Sequence, residues 1–284
     1  EMRSWRSYDE IIKGGVLAFE MTHMRKNGFG MLDEDIPTQY IDDTGFTSVP
    51  AFEAPRTFQG KNTKVRLMHL DSEAEVFWRE GEAGVWSKYK EEIWVNKNVE
   101  LYAYAVAEGV SSKIVKHDMV KIDHDWTVEY ATPYSHQYAA AGPNTLVDGL
   151  YGGDEYRTGD WQGFYATTMQ ATIDLGESFD IEGMSLGCVQ DIRPWIWLPE
   201  SVDFFVSQDG VNFSLFNHVE HDVAEDDYEK QVFRFTTEIK SEGIISARYV
   251  RVITNPRGII PEWHLGAGFD RWTFVDEWNI SFVK

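Results

Sequence analysis

Short apolar runs with a two-residue period, separated by turn residues, recur from about residue 65 to the end of the chain. In the run VELYAYAV at 99–106, Leu101, Ala103 and Ala105 would share one face of a strand. No segment carries a 3.6-residue apolar period over the length of a helix, and Gly, Pro and Asp-Gly signals punctuate the runs. The chain is therefore predicted to be all-β.

The strand-like runs fall into two groups along the 284 residues, a length typical of about two domains. The first group is Val65–His69, Glu75–Trp78, Ile93–Val95 and Val99–Val106; the second is Ala171–Leu175, Gly183–Val189, Ser201–Ser207, Gln231–Phe235, Ala247–Thr254 and Phe274–Phe282. We predict a small immunoglobulin- or fibronectin-like β-sandwich over 48–123 and a larger sandwich or jelly roll over 124–284. Residues 1–47 are predicted to be a linker with the trailing strand of an upstream catalytic domain.

The charge of the chain excludes several classes of partner. It has 47 acidic and 26 basic residues, a formal net charge of −21, and most of the acid excess lies in 124–284. Nucleic acids and anionic membrane surfaces are polyanions, so neither is expected to bind. No apolar stretch is long enough to span a bilayer. The single cysteine, Cys188, lies in an apolar run and is expected to be a buried, inert thiol.

Six ordered motifs in the second predicted domain carry a family resemblance. They are NTLVDG at Asn144–Gly149, WQGF at Trp161–Phe164, IDLG at Ile173–Gly176, VDFFVSQDGVNF at Val202–Phe213, ARYVRV at Ala247–Val252 and WTFVDEWNI at Trp272–Ile280. In this order they resemble the discoidin, or coagulation factor 5/8 type C, family, whose sugar-binding branch is carbohydrate-binding module family 32. The resemblance implies a discoidin-like (galactose-binding-like) β-sandwich with its binding site on loops at one end.

Two weaker resemblances concern the earlier part of the chain. The aromatic pattern of Trp78, Trp86 and Trp94 with LYAYAVAEGVSS at 101–112 resembles the chitobiase/hexosaminidase C-terminal (fibronectin-III-associated) domain, which implies a spacer beside a glycosidase. The three tryptophans themselves are interpreted as core and hairpin packing. Residues 8–21 are similar to the end of a glycoside hydrolase family 92 catalytic domain, with Tyr8 where that family usually has histidine.

The discoidin resemblance also implies a structural Ca²⁺ ion. Asp148 and Glu277 match the family's two carboxylate ligands, and Thr158, in a lengthened loop, is the candidate hydroxyl ligand. Calcium takes six to eight oxygen ligands, so two carboxylates with loop carbonyls and a hydroxyl would suit it. The alternative is that Asp148 caps a turn with Gly149 and that Glu277 accepts local hydrogen bonds.

Sugar recognition is predicted on three loops that the discoidin topology would bring together. A sugar offers an apolar face and a rim of hydroxyls, so its sites combine an aromatic side chain with a few hydrogen-bonding groups. The candidate carbohydrate-binding residues are Tyr156, Arg157, Asp191, Trp195, Trp197, Trp263 and His264. Because Trp195 and Trp197 alternate in the strand sense, one of them is expected to point into the core.

No catalytic residue is assigned. A glycosidase needs two carboxyl groups roughly 5–10 Å apart, whereas Asp276 and Glu277 are adjacent in a predicted strand and should point to opposite faces. His218 and His221, in the run HVEHDVAEDD, lack a third metal ligand and are interpreted as part of a solvated loop.

The predicted function is that of a non-catalytic accessory region of a secreted glycoside hydrolase, such as an α-mannosidase or β-hexosaminidase. It would bind a glycan or glycoprotein carbohydrate and position the upstream catalytic domain on its substrate. The resemblance implies a bacterial periplasmic, cell-surface or secreted location. Two alternatives stay open: purely structural modules that pack on the parent enzyme, and a protein-binding discoidin domain.

Overall fold

The structure is a computed structural model that describes residues 47–237 and 245–283. The expected linker and trailing strand at 1–47, including the family 92 resemblance at 8–21, lie outside the described residues except for Thr47. Within the described part the regular secondary structure is almost all β-strand, with a few short 3-10 turns, so the all-β prediction is confirmed. No helix in that part has the length and apolar character that crossing a bilayer requires.

The strands are numbered here in chain order. They are β1 (Ala51–Glu53), β2 (Thr57–Phe58), β3 (Thr63–Met68), β4 (Glu75–Glu80), β5 (Ser87–Lys88), β6 (Ile93–Val95), β7 (Val99–Ala107), β8 (Val110–Ser111), β9 (Val115–Lys121), β10 (Thr127–Tyr130), β11 (Gln162–Tyr165), β12 (Gln170–Gln190), β13 (Ser201–Ser207), β14 (Ser214–Glu220), β15 (Gln231–Thr236), β16 (Ile245–Asn255) and β17 (Trp272–Phe282). The 3-10 turns are His136–Tyr138, Gly142–Val147 and Tyr156–Thr158.

The chain forms two compact units, of which the first contains the described residues 47–56 and 61–119. In it β3 pairs with β1 and β6, while β4 and β7 pair with each other and with the short strands around them. Leu101, Ala103 and Ala105 of β7 are fully buried, whereas Tyr102 and Tyr104 on the other face are half-buried. The predicted alternation of β7 is therefore confirmed.

The tryptophans of the first unit do not share one role. The ring of Trp86 packs edge-on against Tyr104 at 4.6 Å and lies under the guanidinium of Arg79 at 4.4 Å, as expected for hairpin packing. Trp94 is 57% exposed with the Lys64 ammonium above its ring. The packing interpretation is thus wrong for Trp94, because its face of the short strand β6 points to solvent.

The second unit contains residues 57–60 and the described residues from 120 onward. Its organising element is β12, a 21-residue strand that takes part in two layers. The first part of β12 pairs with β10 and β16, and β16 continues to β13 and β14. The last part pairs with β15 and β17, and β17 continues to β11. The core between the layers is apolar and includes Ile173, Leu186, Phe204, Val252 and Trp278.

Two features of this unit differ from the strand prediction. Gly176 was expected to end a strand, but β12 continues through it with φ at +86°, a conformation that glycine adopts without strain. The strand β14 was not predicted, and it contains His218 and Glu220, so their assignment to a solvated loop is wrong. Among the strands that the structure describes, β14 pairs only with β13 and forms the edge of the sheet. Exposed polar side chains on this edge strand hide its apolar alternation in the sequence.

Candidate functional site

The loops of the second unit converge where its two layers end. The backbone N–H of Glu200, just before β13, donates to the carbonyl of Asn255 at the end of β16. The same loop exchanges backbone hydrogen bonds with Trp272 at the start of β17, through Trp195 and Trp197. The loops at 191–200 and 256–271 are therefore held against each other by the strand ends that they connect.

Residues 259–270, here called the aromatic loop, form a closed and internally bonded turn. Its base is fixed by hydrogen bonds from Ile260 N to the Phe269 carbonyl (2.8 Å) and from Gly268 N to the Ile260 carbonyl (3.0 Å). His264 is buried and its Nδ1 accepts the N–H of Gly266 at 3.0 Å. His264, a predicted carbohydrate-binding residue, therefore points inward and stabilises the loop.

Large apolar side chains on the aromatic loop face solvent. Trp263 is 47% exposed, Phe269 is 58% exposed and Leu265 is fully exposed. Trp263 and Leu265 flank the buried His264, and the Phe269 carbonyl accepts a hydrogen bond at the base of the loop, so all three side chains start from a fixed backbone. An aromatic side chain held in this way binds at a low cost in conformational entropy.

The two tryptophans of the 191–200 loop take different roles. Trp197 is 1% exposed, and its indole N–H donates to the Glu225 carbonyl at 2.9 Å. Trp195 is only half-buried, has φ at +72°, and stacks on Phe269 with ring centroids 5.2 Å apart. Trp195 is therefore joined to the exposed face of the aromatic loop, whereas Trp197 supports that loop from below.

A residue that the sequence interpretation overlooked, Tyr228, lies beside Trp263. Their ring centroids are 6.2 Å apart, and Tyr228 also stacks on His264 at 6.3 Å. The exposed guanidinium of Arg193 lies 5.5 Å from the centre of the Tyr228 ring and donates to the Tyr228 carbonyl at 2.7 Å. Arg193, Tyr228 and Trp263 thus form a continuous surface with a charged hydrogen-bond donor at one edge.

Tyr156, Arg157 and Asp191 are brought together by two further residues. Arg157 binds the Glu155 carboxylate through Nε (2.8 Å) and Nη2 (3.2 Å), which with Lys230 holds the pKa of Glu155 down at about 2. Lys230 Nζ lies 3.3 Å from Glu155 and 3.5 Å from Asp191. The guanidinium of Arg157 also lies over the Tyr156 ring.

Asp191 is the most buried member of this charged group. It is 3% exposed, and its Oδ1 has no hydrogen-bond partner among the described residues, while Oδ2 faces Lys230. A buried carboxylate is stable only when it is paired, so Lys230 is needed to keep Asp191 in place.

Residues 224–230, here called the bridging segment, connect the two groups of candidate residues. Glu225 accepts from Trp197 and from Arg271, Tyr228 contacts Trp263, and Lys230 reaches Asp191. The acidic composition of the run up to Asp227 predicts a solvated loop, and these contacts show that the segment is part of the packed structure instead. The signal that could have revealed it is that Tyr228 and Lys230 interrupt the acids with an aromatic and a basic residue.

The proposed calcium ligands Asp148 and Glu277 lie next to each other. Glu277 Oε2 accepts the N–H of Gly149 at 2.8 Å, and Asp148 Oδ1 accepts the N–H of Leu150 at 2.9 Å. Burial and the neighbouring carboxylates Asp148 and Asp276 raise the pKa of Glu277 to about 9. A buried acid pair of this kind is the environment in which a bound cation would be favourable, so these two residues fit a Ca²⁺ site.

Thr158, the third proposed ligand, makes its contacts elsewhere. Its hydroxyl lies 3.1 Å from the Glu155 carbonyl and 2.8 Å from Asp160 Oδ2, within its own loop. In the described residues no three His, Cys, Asp or Glu side chains form a group that could hold a metal. A cation at this place would therefore take its remaining ligands from backbone carbonyls and water.

Asp276 and Glu277 are not on opposite faces, contrary to the expectation from strand alternation. Pairing passes from Leu186–Trp278 to Cys188–Val275, so two residues of β17 oppose the single residue Gly187. This β-bulge turns both carboxylates toward one loop, where Asp276 Oδ2 accepts from Gly152 N at 2.9 Å. Asp276 is already engaged in an ion pair with Arg234 at 3.1 Å.

Comparisons with known proteins give the following similarities. No family model and no curated protein matches the chain. Among solved structures, the C-terminal domain of a chitobiase from Bacteroides fragilis is 16% identical, covers 57% of this chain and 96% of its own, and has a TM-score of 0.34. The family 32 carbohydrate-binding module of NanJ from Clostridium perfringens, solved with galactose, is 12% identical, covers 55% and 92%, and has a TM-score of 0.32. A fucolectin from striped bass (Morone saxatilis) is 15% identical, covers 57% and 48%, and has a TM-score of 0.36.

Proposed function

We propose that the chain is a non-catalytic, glycan-binding accessory region and that its second unit holds the sugar on the aromatic loop. The observation that carries the proposal is the exposed, pre-ordered surface of Trp263 and Tyr228 beside Arg193. The aromatic faces suit the C–H face of a pyranose, and the guanidinium can donate to its hydroxyl rim.

The burial of each candidate residue would decide whether it contacts the sugar or positions the loops. Trp263 and Trp195 would contact sugar, with Tyr156 and Arg157 at the edge of the site. Trp197, His264 and Asp191 are buried, so they would act by holding the loops in position. This division supports a shallow site that binds one or two sugar rings and binds them weakly.

The parent protein is proposed to be a secreted or surface-attached glycoside hydrolase with a catalytic domain upstream. Weak binding would still be useful there, because tethering raises the effective concentration of substrate at the catalytic domain. Asp148 and Glu277 would hold a structural Ca²⁺ ion that joins the Gly149 loop to the last strand. The ion would supply positive charge between two buried carboxylates and no chemistry of its own.

A protein-binding role is the second candidate, and the fully exposed Leu265 favours it. An aliphatic side chain at the tip of the aromatic loop offers a protein partner apolar area that a sugar cannot use well. The same loop would then be the contact surface, but monosaccharides would not compete for it.

Replacing Trp263 with alanine is expected to weaken glycan binding about tenfold, because the variant loses the stacking contribution, about 0.5–1.5 kcal/mol, together with the apolar area that the ring would bury. The measurement is retention of the full chain on polysaccharide affinity gels and on a glycan array, with the melting temperature recorded in parallel. Trp94→Ala is the matched control, since Trp94 is similarly exposed but lies in the first unit. Equal retention of the Trp263→Ala and Trp94→Ala variants, or no retention of the unmodified chain, would contradict the proposal.

A further inference from the structure

A cavity of about 310 Å³ lies in the second unit and shares no lining residue with the aromatic loop or the bridging segment. One wall is β2 with Gln59 after it, and another is the segment from Ile122 to Trp126. The third comes from Asn144 and the end of the Gly142–Val147 turn, with Asp148 behind it. None of the roles assigned above uses this space, apart from the calcium ligand Asp148 at its edge.

The walls of the cavity are fixed by the backbone. Strand β2 runs parallel to the end of β9, and the N–H of Ile122 donates to the Phe58 carbonyl at 2.8 Å. The side-chain amide of Gln59 donates to the His124 carbonyl at 3.3 Å. Gly149 has φ at +72°, and a Cβ there would lie 2.6 Å from Val120 Cγ1, so this turn is pressed against β9. The cavity is therefore preformed.

The lining combines an aromatic pair with neutral polar groups. The rings of His124 and Trp126 stack at 3.9 Å with an interplanar angle of 9°, and Phe58 adds an apolar surface. Thr57, Gln59 and Asn144 offer a hydroxyl and two amides, each of which can both donate and accept a hydrogen bond. Among the described lining residues there is no lysine or arginine, and Asp148 is the one carboxylate.

We propose that this cavity binds one neutral pyranose ring, at a site separate from the aromatic loop. An anionic ligand would find a carboxylate and no cationic side chain to hold it. Groups that both donate and accept are suited to hydroxyls, which do the same, and the apolar parts of the Phe58, His124 and Trp126 side chains are suited to the C–H groups of the ring. The volume lies at the small end of the roughly 300–1,000 Å³ typical of ligand sites, which suits one sugar ring.

Fluorine NMR of the full chain labelled with 5-fluorotryptophan tests this site separately from the aromatic loop. Trp126→Phe and Trp263→Phe each remove one resonance and so assign the two reporters. Glucose, galactose, mannose and N-acetylglucosamine are then titrated into the unmodified chain at millimolar concentrations. We expect at least one of them to shift the Trp126 resonance saturably, whatever happens at Trp263.

The double variant Asn144→Ala/Gln59→Ala is expected to weaken that response about tenfold while leaving the Trp263 response unchanged. If the double variant does not fold, the isosteric variants Asn144→Asp and Gln59→Glu replace it. They keep the shape of the cavity but add negative charge and remove amide donors, so they are expected to weaken the Trp126 response as well. A Trp126 resonance unmoved by all four sugars, or moved equally in the pocket variants, would overturn the proposal. If the sugars shift the Trp126 resonance of the unmodified chain but none of them shifts the Trp263 resonance, the result would count against glycan binding by the aromatic loop and not against this cavity.

Discussion

In the presence of a chelator, the stability of the second unit is expected to fall as pH rises from about 5 to about 9, and Glu277→Gln is expected to abolish that fall. Burial raises the pKa of Glu277 to about 9 in the folded chain, against an ordinary glutamate value of about 4.5 in the unfolded chain. Between these values the folded chain retains a proton that the unfolded chain has released. The free energy of unfolding therefore decreases with pH, by at most about 1.4 kcal/mol per pH unit.

Excess Ca²⁺ is expected to cancel this dependence. The ion would favour the ionised form of Glu277, so the melting temperature should rise on calcium addition, and by more at pH 8.5 than at pH 5.5 (about the two ends of the window). The measurement is a set of thermal melts of the full chain with chelator or calcium. Glu177→Gln, at an exposed position, is the control variant. A stability that rises with pH in chelator, or an unchanged slope in Glu277→Gln, would contradict the assignment.

Gly187→Ala is the second substitution with a large expected effect. A Cβ at this position would lie 2.0 Å from Asp276 Oδ1 and 2.6 Å from Arg234 Nη2, inside the bulge of β17. The methyl group would have to move the fully buried Asp276 carboxylate away from Arg234, and leaving a buried charge without its partner costs about 3–5 kcal/mol. Urea denaturation followed by tryptophan fluorescence should show this loss.

Gly258→Ala is the matched control for that substitution. Gly258 has open space around its Cβ position and no positive φ, so its replacement should change stability by no more than about 1 kcal/mol, and in the stabilising direction. A Gly187→Ala variant as stable as Gly258→Ala would contradict the expectation that a methyl group in the bulge separates Asp276 from Arg234.

The strand pattern was predictable wherever one face of a strand is buried. Alternation identified β7 residue by residue and gave the bounds of β13 as Ser201–Ser207, because their apolar residues recur at every second position. Alternation could not reveal the bulge opposite Gly187, since a bulge changes the register without changing the local composition. It therefore placed Asp276 and Glu277 on opposite faces.

The sequence was sufficient to predict which loops form the candidate site, but not which residues within the site contact each other. Composition marked the loops that carry Trp195 and Trp263, but which tryptophan is buried depends on partners distant in sequence, as Trp197 shows with Glu225. The composition of the bridging segment predicts a solvated acidic run, because the segment acts through contacts with residues that are distant in sequence and that only the folded chain brings together. Thr158 illustrates the converse: it was proposed as a ligand from a lengthened loop that departs from the family pattern, and its hydroxyl bonds within that loop.

The course of β12 through both layers has a consequence for cooperativity. Since the same strand hydrogen-bonds to β16 in one layer and to β15 and β17 in the other, neither layer can separate without breaking pairs in a strand that the other layer needs. The two layers should therefore open as one unit, with amide protons on both halves of β12 exchanging at closely similar rates. A binding surface built across the ends of both layers thus keeps its geometry until the whole domain unfolds.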